Sequence, residues 1–351
     1  MKRGVLVLLC LLAATQFVYA GGILTNTNHS AQFVRMFARN ASTEVDAVYY
    51  NPAGVVQMGD GFYIALHNQV ISQTKKVESS FPLLAGAPKT YQGDVFVPAF
   101  PDVYAVYKKG AWAFHFGFGP NAGGGSAEFN DGLPSFEQEI AKLPIGITTQ
   151  IGMPTSKYSS EIAFKGSSAF YGYQVGASYA MTKKLGVSLG VRYLQAVNTY
   201  EGSITNIMVN PTHPVFNPTG AMISASAFFN QLYQATVAMG APNPVLLGYA
   251  KNTADKQVDA KQTGSGITPI IGLNYQFSDK VSAGLKYELQ TALELTNETT
   301  VDDAGLFPDG EKSNSDVPAI LAGGVAYKPI PKLLLALSGN YYFDTAVSWE
   351  S

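Results

Sequence analysis

Cysteine is almost missing from this chain: Cys10 is the only one in 351 residues. It falls in a segment where Lys2 and Arg3 precede an apolar run from Val5 to Ala14, and Val18, Tyr19 and Ala20 form a small-residue cleavage site before Gly21. Residues 1–20 therefore read as an export signal peptide. Leu9 stands where a lipoprotein anchor at Cys10 needs a small residue, so Cys10 is read as part of that signal. The mature chain is then exported yet free of disulfides. Charge is scarce too, at 14% of residues against roughly 25% in a typical soluble domain. A net charge of −2 and no basic stripe exclude a nucleic-acid partner. Beyond Gly21 no run of eighteen apolar residues exists, which excludes a transmembrane helix. The histidines (His29, His67, His115 and His213) are scattered without metal-ligand spacing, and no nucleophile elbow is present. Gly123 to Ser126 lacks the lysine and helix of a phosphate loop. No enzyme, metal or cofactor is expected.

What is abundant is apolar and small: 46% hydrophobic residues, 20 Tyr, 20 Phe and 35 Gly. From Gly61 onward they alternate with the period of a strand. Phe62, Ile64, Leu66 and Val70 oppose Tyr63, His67, Gln69 and Gln73; Trp112, Phe114, Phe116 and Phe118 oppose Ala113, His115 and Gly117. Leu185, Val187, Leu189, Val191 and Tyr193 oppose Gly186, Ser188, Gly190 and Arg192, and Leu285 and Tyr287 oppose Lys286 and Glu288. Further runs fall near 317–327 and 333–343. Strands of about nine residues or more, with one greasy and one small or polar face, suit a tilted crossing of a bilayer better than a soluble sandwich. An exported chain of this kind is expected to be an all-β, transmembrane antiparallel barrel, because closure satisfies every backbone group in lipid.

Residues 21–54 precede the strands as a small helical plug. Ser30 is set to cap a helix with Phe33, Met36 and Phe37 on one face and Arg35 and Arg39 on another, the arginines pairing with Glu44 and Asp46. Asn51, Pro52, Ala53 and Gly54 form the plug junction: proline fixes φ and pushes Asn51 out of the α region, and Gly54 frees the backbone to reverse. The barrel occupies 55–351. Tight turns at 182–184 and 278–280 mark the periplasmic end, and loops at about 121–167 and 202–266 the extracellular one. The first loop carries a capping-box spacing at Ser135 and Gln138 with Phe136, Ile140 and Leu143 on one face. The second carries a stripe of Ala225, Phe228, Phe229, Leu232, Tyr233, Thr236 and Met239, ended by Gly240 and Pro242. Such stripes serve either as packing surfaces or as a greasy capture groove.

These features together resemble the FadL-type outer-membrane transporters of long-chain fatty acids and other hydrophobic compounds, including the aromatic-hydrocarbon branch. The likeness is carried by Gly21-Gly22, Tyr49-Tyr50-Asn51-Pro52-Ala53-Gly54, the Gly-rich stretch from Phe116 to Gly125, the helical loops and the stretch from Gly264 to Tyr275. The resemblance implies a monomer in the outer membrane that needs no cofactor. Its ligand meets a groove between the long loops, then a deeper pocket near the plug. It leaves sideways into the bilayer through a gap beside a kinked strand, here at Gly117, Gly119 and Pro120. Candidate ligand contacts are Phe33, Phe37, Phe136, Ile140, Leu143, Phe228, Phe229 and Leu232. Arg192 and Lys286, chosen by inward phase alone, are the cations that would meet a ligand carboxylate. Long-chain fatty acids are the first expectation for cargo, and a general porin for small polar solutes is the alternative. Only about nine strands are read, and Trp349-Glu350-Ser351 lacks a terminal aromatic signal, so the chain is expected to stop before the last strands.

Overall fold

The computed structural model describes residues 30–347. The expected signal peptide, Gly21-Gly22, His29 and the Trp349–Ser351 terminus lie outside the described residues. The alternation becomes strands β1 (Gly61–Ser79), β2 (Lys89–Lys109), β3 (Trp112–Phe129), β4 (Tyr158–Ala180), β5 (Leu185–Val209), β6 (Ile223–Ser224), β7 (Lys256–Ser278), β8 (Val281–Glu288), β9 (Glu294–Asp302), β10 (Lys312–Asn314), β11 (Ile320–Ile330) and β12 (Leu333–Tyr342). They form one antiparallel sheet in the order β1-β2-β3-β4-β5-β7-β8-β11-β12, with β6 on β5 and with β9 joining β7 to β10. Among the described residues β1 and β12 do not pair with each other. β8 and β9 are two parts of one crossing: β7 pairs with β8 through Ile270–Ser278 and with β9 through Val258–Thr263, and residues 289–293 interrupt it.

The phase of burial inverts that of a soluble protein. Phe62, Ile64, Leu66, Trp112, Phe114, Leu189, Ile271 and Leu285 are exposed on the outer face, while Arg192, Asn274, Lys286 and Glu288 are buried on the inner one. A continuous outward belt of this kind requires an apolar medium. The long loops are shorter than the sequence suggested, spanning 130–157 and 210–255, because β3 continues to Phe129, β4 starts at Tyr158, β5 runs to Val209 and β7 starts at Lys256. The extensions lack the outward greasy stripe of the belt, and their few large apolar residues, such as Ile162, Phe164, Ile207 and Val209, turn to the loop core or the groove. The run expected from Val317 starts as strand only at Ile320, after a single bridge from Val317 to Thr291.

The plug fills the interior with α1 (Ala31–Arg35), α2 (Ala47–Tyr50) and a 3-10 turn (Pro52–Gln57). Ser30 caps α1 as expected, its Oγ accepting from the Phe33 N–H at 3.3 Å. The helix stops at Arg35, however, so Arg39 is not on its face; Phe37 is exposed, with its ring 4.9 Å from that of Phe33. Arg39 lies buried in the following turn. Its Nε reaches Asp46 Oδ2 at 2.6 Å and its second guanidinium nitrogen reaches Asp46 Oδ1 at 2.8 Å and Glu44 Oε2 at 2.6 Å.

Asn51-Pro52-Ala53-Gly54 is not a linker at the edge of the plug; it is the docked centre of it. Asn51 is extended, as the following proline demands, with its Oδ1 accepting from Ala53 N–H and its Nδ2 donating to Leu273 O on β7 at 2.8 Å. Ser178 on β4 donates to Pro52 O at 2.8 Å. Gly54 is required for space: it sits in the 3-10 turn, where a Cβ would collide with Ser42 O. The wall yields in the same way, since a Cβ at Gly272 would strike Asn51 Oδ1 and one at Gly284 would strike Asn40 O. Asn40 also donates through Nδ2 to Gly323 O at 3.1 Å and Gly339 O at 3.2 Å, tying the plug to β11 and β12.

Removing one member of a buried ion pair costs roughly 3–5 kcal/mol. Arg39→Ala is therefore expected to loosen the plug and raise basal single-channel conductance, whereas Arg35→Ala, at an exposed position, should leave it unchanged; equal conductance in both variants would contradict this.

Candidate functional site

Outside the wall the loops build their own core. Helices α3 (Pro134–Ala141), α4 (Leu143–Gly146), α5 (Ala225–Ala238) and α6 (Pro244–Asn252) pack Ile140, Ile147, Ile162, Phe228, Phe229, Leu232 and Leu246 together, with Phe136 and Leu143 at the margin. Phe228 and Phe229 are 1% and 0% exposed. These two and Leu232 are the interior of the loop domain and do not line an open groove, so of the two readings of the stripe the packing one holds. The expected capping box is also absent: α3 begins on Pro134 at its first position, and Gln138 donates to Ser79 instead. α3 is anchored by Glu137, whose buried carboxylate accepts from Lys89 Nζ at 2.6 Å, Tyr91 OH at 2.9 Å and Tyr158 OH at 3.0 Å.

The open groove lies elsewhere. A cavity of about 230 Å³ runs between α3 and the β9–β10 loop, lined chiefly by Phe136, Phe164, Tyr200, Val258, Leu306 and Phe307. Phe136 and Phe164 lie 5.7 Å apart, and Tyr200 stacks on Phe307 at 4.7 Å. Asp302 shapes this wall, accepting the Leu306 N–H at 3.0 Å and the Phe307 N–H at 2.7 Å. Burial works to raise the Asp302 carboxyl, but those amides, with the N–H groups of Gly305 and Ala304, outweigh it and hold it below its ordinary 3.8. A deeper cavity of about 560 Å³ shares Tyr200, Leu306 and Phe307 with the groove and reaches Phe170 and Leu295, the rest of its lining being polar, with Asn198, Gln262, Asn297 and Lys312 among it. Those two belong to an inward apolar cluster with Ala122, Leu194, Ala196, Leu293 and Val317.

Below the cluster is a charged neck around Tyr49 of the plug. Arg192 grips Glu288 with both guanidinium nitrogens, at 2.7 and 3.0 Å, and Gln174 Oε1 at 2.8 Å. Lys286 Nζ donates to Glu288 Oε1 and to Tyr49 O, and Gln174 donates to Val48 O. Arg192 and Lys286 lie 5.2 and 5.4 Å from the centre of the Tyr49 ring. Both cations are thus brought together inside, as inward phase predicted, and both are engaged by Glu288, Arg192 also by Gln174 and Lys286 also by the plug at Tyr49 O. A small cavity at this level, beside Asp102, Gly119, Asn121 and Gly172, measures about 10 Å³.

The wall opens beside this neck. β2 and β3 pair from Lys109↔Trp112 to Val103↔Phe118 and meet again only at Asp94↔Glu128, leaving 95–102 and 119–127 without a ladder between them. On its other side β3 shifts register twice against β4, between Pro120 and Ala122 and between Ala122 and Gly125. Gly123 and Gly125 take left-handed φ values of 107° and 71°. Of the named kink residues, Gly117 still pairs with β2 and Gly119 and Pro120 begin the gap. Sequence reasoning missed Pro98 and Pro101, which face the gap from β2; two prolines in one strand were the available signal. It also missed the inward Phe170, Leu194 and Leu295, and Leu306 and Phe307 of the groove.

Replacing Phe228 or Phe229 by serine should cost roughly 3–5 kcal/mol, as for other truncated core phenylalanines. Faster proteolysis within 210–255 is the expected readout, and undiminished resistance would contradict the buried placement. Asp302→Ala should weaken binding of an apolar fluorophore to the groove. Because its folded value is depressed, the anchor is intact above pH 3.8 and lost only as pH falls through that lower value; loss of binding already at neutral pH in the unmodified chain would contradict it.

No protein-family model matches the sequence, and no curated protein does. Solved structures do match. The P. putida toluene transporter TodX superposes with a TM-score of 0.52 and 16% identity over 87% of this chain and 67% of its own. A Pseudomonas aeruginosa FadL homologue gives a TM-score of 0.55 and 11% identity over 92% of this chain and 70% of its own. At these identities the likeness is one of architecture: the chain has the antiparallel barrel fold of the TodX and FadL-type transporter structures, and spans about two thirds of their length.

Proposed function

We propose that the chain is a passive route for hydrophobic small molecules across the bacterial outer membrane. The observation that carries this reading is the break in the β2–β3 ladder, set beside an apolar interior and beneath an apolar groove. A molecule captured between Phe136, Phe164, Leu306 and Phe307 moves through the deeper cavity onto Phe170, Leu194 and Leu295, and leaves sideways between β2 and β3. Each large apolar contact formed on the way is worth roughly 1.5–3 kcal/mol when fully buried, whereas exit into an aqueous periplasm would forfeit all of it. A lateral exit into lipid keeps that gain. The likeness to TodX, a toluene transporter, supports hydrophobic cargo as a class. Long-chain fatty acids are the finer expectation from the resemblance. The porin alternative needs an open polar lumen, whereas here the plug is hydrogen-bonded to the wall through Asn40, Asn51, Val48 O and Tyr49 O.

Restoring the missing donors tests the exit. Pro98→Thr, Pro101→Thr and Pro120→Thr combined should let the ladder close while the protein still folds and reaches the membrane. Uptake of a labelled hydrophobic probe by cells displaying the full chain is expected to fall several-fold. Undiminished uptake by a folded variant removes the lateral route, and rapid sugar entry in liposome swelling with the unmodified chain would favour the porin.

A further inference from the structure

We propose that the deeper chamber is a hydrogen-bonding subsite for hydrophobic molecules that carry one neutral donor, a hydroxyl or an amide N–H. This deepens the uptake reading above and rests on it. Ser168, Asn198, Gln262 and Asn297 stand opposite one another on β4, β5, β7 and β9 and line that chamber in a single row. Their amides run one way. Asn198 Nδ2 donates to Gln262 Oε1 at 3.4 Å, Gln262 Nε2 to Asn297 Oδ1 at 3.0 Å, and Asn297 Nδ2 to Pro308 O at 3.1 Å. Each amide hands its donor onward, so the acceptor at the start of the row, Asn198 Oδ1, receives none among the described residues, although Asn198 is only 6% exposed. A buried carbonyl without a donor costs free energy that a ligand hydroxyl would recover, and the amides beyond it polarise it towards accepting. The surroundings of the row are apolar on two sides. Two residues along β4 and β5, Phe170 and Ala196 begin the inward cluster, and Tyr200, Leu306 and Phe307 open into the groove. A molecule resting its apolar body on either surface turns its polar end to the row. The charges lining the chamber are Glu311 and Lys312, one of each sign, and Lys312 is paired with Glu294 at 2.8 Å, which suits a neutral head.

Labelled 1-naphthol and labelled 1-methylnaphthalene have nearly the same shape and differ in the donor. Their equilibrium binding to the detergent-solubilised full chain, each corrected for its partition into protein-free micelles, reads the subsite directly. The naphthol is expected to bind at least about fivefold tighter after correction, the gain from satisfying a buried acceptor. Asn198→Leu should abolish that preference while leaving 1-methylnaphthalene bound as before. Equal corrected affinities in the unmodified chain, or a preference that survives in a folded Asn198→Leu variant, overturn the donor subsite. Tighter binding of 1-naphthoate than of 1-naphthol overturns the neutral head. In each of these cases uptake of 1-methylnaphthalene by cells displaying the full chain leaves the uptake reading standing, whereas uptake of neither compound overturns that reading itself. If Asn198→Leu fails to assemble, the corrected ratio in the unmodified chain decides.

Discussion

In a bilayer core a backbone N–H without a partner costs several kcal/mol, and no water is present to relieve it. Everything about this wall follows from that constraint. Strands of 18–25 residues from β1 to β5 pair along most of their length, and the outer face carries aromatic and aliphatic side chains. Where the ladder between β2 and β3 is given up, the chain has already removed donors by covalent means: Pro98, Pro101 and Pro120 have no N–H to leave unsatisfied. The opening is thus built from residues that lower its own cost. It also coincides with glycine-rich backbone on β3, which bends without side chains to obstruct it.

Much of the fold was legible because strand period and lipid exposure act on every second residue. The inward or outward phase of Trp112 to Gly117, Leu185 to Tyr193 and Leu285 to Glu288 read from sequence is the phase observed. The plug pairing of Arg39 with Glu44 and Asp46 was legible too, because short separations leave few alternatives. The strand ends were not. Past the apolar belt the extensions of β3, β4, β5 and β7 lose the regular outward stripe, and their scattered apolar residues, such as Ile162, Phe164 and Val209, face the loop core or the groove, so little in their pattern separates them from loop.

The site was less legible for a different reason. Helical amphipathicity identifies what is buried, not what it is buried against, and Phe228 and Phe229 went to the core of the loop domain. The groove drew its other wall from Leu306 and Phe307, in a short loop whose shape depends on Asp302 and has no periodic signature. Arg192 and Lys286 point inward as expected, yet inward phase does not reveal Glu288 between them. One usable sign was passed over: on β4 and β5 the inward residues change from Gly176, Ser178, Ser188 and Gly190 to Phe170, Leu194 and Ala196, marking where the polar bed of the plug gives way to an apolar chamber.

Asn40 binds Gly323 and Gly339, close to 300 residues later in the chain, while Asn51 binds Leu273. The first and last described strands do not pair, and the plug bonds to the late strands through these asparagines. In kinetic terms contacts of such sequence separation can form only after a large loop has closed, which makes them slow to gain. A defect at Asn40 would then show first as slow or misregistered assembly, before any loss of passage in molecules that had finished folding.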